Sequence, residues 1–140
     1  MLIDSLNMLR ADGTSPRVTS TESGATSITR NATTGQAVID VRKLGLKGVP
    51  IVVITDDDTS DCHSEDDGQT VTIEASDTVG FSTTEVVATF PKVLAQASGT
   101  TMIRRIHTQY RYLRSVITTS SGTPSVDFLI FISNGQMGKN

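Results

Sequence analysis

The sequence predicts an all-β fold, a sandwich or barrel of seven or eight short strands. Three observations lead there. Ser and Thr fill roughly a quarter of the 140 positions, well above ordinary usage, and Thr suits a pleated, half-exposed surface. Strong helix formers are scarce, and no window carries an apolar stripe at helical spacing. Short alternating or wholly apolar runs recur, separated by Gly, Pro, Asp and Ser.

The elements follow in order. "TSITRNATTG" is polar and rich in turn residues, and "QAVIDVRKLG" holds a short strand near Ala37 to Val41 that Gly45 stops. "VPIVVIT" is apolar throughout, as in a strand buried on both faces. "GQTVTIEASD" alternates, with Val71, Ile73 and Ala75 on one face and Thr72 and Glu74 on the other. "TEVVATFPKVL" repeats that pattern through Val86, Ala88 and Phe90 until Pro91 ends or edges the strand. "TTMIRRIHT", "QYRYLRSVITT" and "SVDFLIFIS" add three more, with Gly99 and Gly122 to Pro124 in the breaks. The expected core comprises Val71, Ile73, Val86, Ala88, Phe90, Leu129 and Phe131, although both faces of the last strand are apolar.

Length points to a single domain over residues 1–140. A chain of this size buries roughly 68–70% of its unfolded surface without help from a metal or disulfide. One cysteine excludes an internal disulfide. A net charge of −3 does not favour nucleic acid as a partner. No apolar run approaches the roughly 18 residues that a membrane-spanning helix needs. The opening "MLIDSLNMLRADG" lacks the basic leader of a signal peptide, and Asp4 interrupts its apolar stretch.

The acidic segment between two expected strands contains Asp56, Asp57, Asp58, Asp61, Glu65, Asp66 and Asp67 around Cys62 and His63. A calcium loop starting at Asp56 requires Gly at its sixth position and Glu at its twelfth, where Asp61 and Asp67 stand. Zinc needs three or four nitrogen or sulfur ligands, and adjacent Cys62 and His63 point to opposite sides of an extended chain. The segment therefore reads as a solvated loop whose charges resist edge-to-edge strand association. Neither a phosphate-binding glycine loop nor a nucleophile elbow occurs. His107 has no positioned partner in sequence and reads as a surface or interface residue. These features predict no catalytic residue, no metal and no cofactor.

Arg104, Arg105, Arg111 and Arg114 fall close together, interleaved with Tyr110 and Tyr112. Such a segment either grips a polar or acidic partner or forms two strands with ordinary solvent-facing arginines. In "YRYLRSVI" neither face is purely polar, so pattern alone leaves both readings open. At the N-terminus, Leu2, Ile3, Leu6 and Leu9 form an apolar stretch that must join the protein's own sheet or meet a partner.

"YRYLRSVITTSSGTPSVDFLIFI" resembles the C-terminal signature of small phage capsid cement, or decoration, proteins of the type found on a Bordetella short-tailed phage. Arg111, Tyr112, Leu113 and Arg114 match the aromatic-Leu-Arg strand, and Ser125 to Ile132 match the final apolar strand. "NATTGQAVIDVRKLG", "VTIEASDTVGFSTTEVVATF" and "MLIDSLNMLRADG" are similar to earlier parts of that family in the same order, whereas the acidic segment is longer than the family pattern leads one to expect. The resemblance implies a jelly-roll homodimer, made in the bacterial cytoplasm, that sits on the outer surface of an icosahedral shell and bridges major capsid proteins. On that reading the partner contacts are Leu2, Ile3, Leu6, Leu9, Arg104, Arg105, Arg111 and Arg114, with residues 1–15 as a possible arm. Two alternatives from other classes are a carbohydrate- or receptor-binding β-sandwich and a small calcium-dependent hydrolase. The absence of Trp and the presence of only two Tyr weigh against a sugar-stacking platform.

Overall fold

The computed structural model describes residues 8–10, 22–23, 38–41, 49–55, 68–94, 101–119 and 128–132. Within them the chain is almost entirely strand, with no α-helix. The strands are β1 (Met8–Arg10), β2 (Glu22–Ser23), β3 (Ile39–Asp40), β4 (Val49–Thr55), β5 (Gly68–Ser76), β6 (Glu85–Thr89), β7 (Val93–Leu94), β8 (Thr101–Ile106), β9 (Tyr112–Thr119) and β10 (Phe128–Ile132). They form two antiparallel sheets. One runs β1-β10-β4-β8; in the other β9 and β5 are central, with β2 and β3 flanking β9 and β6 and β7 flanking β5.

The two sheets share one core. Leu9, Ile51, Ile106, Ile130 and Ile132 from the first meet Ile39, Val71, Ile73, Ala75, Leu113 and Ile117 from the second, and Phe90 joins them. Strand β5 shows why the sequence builds this layer. Its odd positions Val71, Ile73 and Ala75 are fully buried, while Thr72 and Glu74 are only partly so, as period-two alternation requires. Strand β9 likewise turns Leu113, Ser115 and Ile117 inward and Tyr112, Arg114 and Val116 outward.

Strand β6 departs from the expected alternation. Ala88 lies opposite Ile73, but Val86 lies opposite Glu74, because Val87 is an extra residue at a register shift. A bulge of this kind inserts one residue and turns the remainder of the strand over. Val86 is therefore 55% exposed and not a core residue, while Phe90 is buried and donates its N–H to the Val71 carbonyl at 2.9 Å.

The last strand also differs. Ile130 and Ile132 enter the shared core, and Leu129 is only partly buried. Phe131 is buried at 2% exposure outside that cluster, because alternation sets it on the opposite face. Strand β10 is thus apolar on both faces, as "FLIFI" leads one to expect.

Residues 8–10 form a strand and not an arm: Met8 lies opposite Phe131 and Arg10 opposite Ile130, with a register shift between them. That shift leaves Leu9 as the extra residue, fully buried in the core.

Candidate interaction surface

The four clustered arginines separate into two groups. Arg114 points out from the central strand β9, directly opposite Glu74 on β5. Its Nε donates to Glu74 Oε2 at 2.8 Å, and its Nη2 lies 2.7 Å from the same oxygen. Both side chains are largely sheltered, at 15% and 17% exposure. The Phe81 ring provides part of that shelter, with the guanidinium 4.5 Å from its centroid. Phe81 occupies the left-handed region at φ 49°, which costs a side-chain-bearing residue on the order of 1–2 kcal/mol. The connection around it holds that shape: the Phe81 N–H donates to the Thr78 carbonyl at 3.0 Å. Thr78 Oγ1 hydrogen-bonds Ser76 Oγ and Ser82 Oγ at 3.3 and 3.1 Å.

Arg111 is also engaged within the chain. Its Nε and Nη2 both donate to Asp40 Oδ2, at 3.1 and 2.9 Å, and the Asp40 side chain is only 7% exposed. Its backbone N–H donates to Asp77 Oδ1 at 3.2 Å, and its carbonyl accepts from Val41 at 2.9 Å. The hydrogen bond and charge of Asp40 raise the Arg111 pKa above its ordinary value. Nearby, the hydrogen bond and charge of Glu85 raise the Tyr110 phenol above its own. Arg111 and Arg114 thus realise the alternative of internal pairing. The sequence hid it because Asp40 and Glu74 stand 71 and 40 residues away.

Arg104 and Arg105 are different. Both are exposed, and among the described residues neither has an ion pair. They lie on β8, the edge strand of the first sheet among the described residues, opposite Ile51 and Pro50 of β4. The pairing places Arg104 on the core-facing side with Met102 and Ile106. Arg105 falls on the outer side with Ile103, which is 45% exposed. Through the backbone pairing of Val52, the register aligns Ile103 with Phe131 and Met8. An apolar row buried at Phe131 is therefore open at Ile103, with a guanidinium two residues further along the strand. His107 follows, also exposed. The sequence signal for this surface was the basic pair inside an otherwise apolar strand; that it forms an edge was not readable.

Of the N-terminal candidates, Leu9 serves the protein's own core and is not offered outward. Leu2, Ile3 and Leu6, like the acidic segment from Asp56 to Asp67 with Cys62 and His63, lie outside the described residues. Among the described residues no group of three or more His, Cys, Asp or Glu side chains could hold a metal ion, and no helix is long and apolar enough to cross a membrane. No protein-family model matches the chain, and no curated protein matches it.

Proposed function

We propose that this chain is a structural virion protein, a jelly-roll cement protein that binds the outside of an icosahedral phage head and bridges its major capsid proteins. The observation that carries the reading is the strand order. β2 and β3 pair with successive stretches of β9, and β6 and β7 with successive stretches of β5. Counting each couple as one interrupted strand gives two four-stranded sheets, each interleaving early and late parts of the chain. Counted so, the wrap supports a double Greek key, the order of a jelly roll. The resemblance to phage cement proteins supplies the location and the homodimeric state, and the β8 edge with Arg104 and Arg105 is the surface that meets the shell.

The physical logic is mass action. A protein that binds only the assembled shell stabilises it, and bridging several subunits turns weak contacts into avidity. Each contact must still cover roughly 1,000 Å² or more to be specific. Purified virions analysed by quantitative mass spectrometry test the proposal, with a copy number close to that of the major shell protein expected. Absence from virions, or saturable binding on a glycan array, would replace it with the carbohydrate- or receptor-binding alternative.

A further inference from the structure

We infer that the β8 edge accepts an extended, carboxylate-bearing segment of its partner as an added antiparallel strand. The inference rests on the same β8 surface as the attachment reading and names the chemistry of what binds there. Among the described residues no strand pairs with the far side of β8. In an antiparallel ladder alternate residues direct their N–H and C=O groups to one neighbour and the rest to the other. Half of β8 therefore presents backbone donors and acceptors away from β4, which is what strand addition uses.

Charge selects the occupant. Arg104 and Arg105 are adjacent and so point to opposite faces of the sheet, and both are exposed with no ion pair among the described residues. A second copy of β8 fits poorly: a pairing centred on the strand brings arginine opposite or diagonal to arginine, and like charges so placed are destabilising. A foreign strand with carboxylates meets both guanidinium groups, which favour paired hydrogen bonds to such oxygens. Ile103, half exposed on the face of Arg105, adds an apolar position. Read from its N-terminus, the added strand carries an acidic residue opposite Arg105, a second opposite Arg104, and an apolar residue opposite Ile103.

The test uses a labelled synthetic peptide of the order Glu-Glu-Val between flanking threonines, titrated into the full chain at low and high salt. A second peptide has the same side chains but N-methyl groups on alternate backbone amides. The parent chain should bind the first peptide and gain hydrogen-exchange protection along Thr101 to Ile106. N-methylation should abolish binding. The Arg104→Glu, Arg105→Glu double variant, with circular dichroism unchanged, should lose at least about tenfold in affinity at low salt and less at high salt. Absence of binding overturns the inference. So does binding that survives N-methylation, since it would be a charge contact without a strand. Exchange on shell-attached protein separates the two claims. Attachment that leaves β8 unprotected sinks strand addition and spares the cement reading; peptide binding without attachment to shells does the reverse.

Discussion

The arginines of β9 and those of β8 have the same chemistry and opposite uses. On β9, Arg114 has β5 on one side and the β2/β3 position on the other, and Glu74 stands directly across from it. Arg111, just before that strand, finds Asp40 at the end of β3. Among the described residues β8 has a neighbour on one side only, where Pro50 and Ile51 stand opposite Arg105 and Arg104. A guanidinium on a central strand is offered partners from both flanks, whereas one on an edge strand keeps its donors for solvent or for another molecule. Strand order, more than residue type, decides which arginines remain available.

The largest expected effect concerns the layer beneath both groups. Leu9 is fully buried at the register shift of β1 and joins the core that the two sheets share. Leu9→Ala should cost about 2–5 kcal/mol in urea unfolding. A cost near zero would mean that this stretch is a detachable arm after all and that β1 contributes nothing to the sheet.

Next comes Arg114. Its removal leaves the sheltered Glu74 carboxylate without its cation and uncovers the Phe81 ring. Arg114→Ala should destabilise by about 1–3 kcal/mol, and Glu74→Gln with Arg114→Ala together by less than the sum. Additive losses would show that the two side chains do not act as a pair.

How far these uses were legible in the sequence depends on the element. Strand β5 was legible because every second residue is apolar, and the buried positions follow. The apolar run of β10 marked a strand, yet "FLIFI" could not say whether Ile130 or Phe131 faces the shared core, since every position is apolar. In β6 one extra residue, Val87, turned Val86 outward; with no glycine or proline inside the strand, nothing marks the bulge. The partners of Arg111 and Arg114 come from β3 and β5, and only the fold brings them near. For the surface on β8 the residues were visible and the edge was not.

A smaller effect tests the connection between β8 and β9. Tyr110 lies in it, and Glu85 on β6 raises its phenol pKa by hydrogen bond and charge. A raised pKa in the folded state means that the neutral phenol is favoured there. This contribution is complete below the ordinary phenol value and is lost as pH rises through the raised one. In a Tyr112→Phe background, ultraviolet titration should place the remaining phenol above its ordinary value of 10.0, and Glu85→Gln should move it down. No movement would mean that Glu85 does not anchor the connection.

The smallest effect on folding belongs to Arg104 and Arg105. Both side chains are exposed, and neither has an ion pair among the described residues, so removing them withdraws no contact of that kind from those residues. Substitutions away from buried or paired groups change stability little. The Arg104→Ala, Arg105→Ala variant should therefore melt within about 1 °C of the parent, in contrast to Arg114→Ala. Its effect should fall on attachment to emptied shells, weakening it more at low salt than at high salt because exposed charges are screened. Arg104 lies on the core-facing side of β8, with Met102 and Ile106. An inward-pointing charge there also discourages unwanted strand pairing. Arg104→Val should consequently increase self-association, measured by sedimentation at rising concentration, while Arg105→Val increases it less. Equal self-association in both variants would mean that the face of the sheet on which each arginine lies makes no difference, and that charge alone guards the edge.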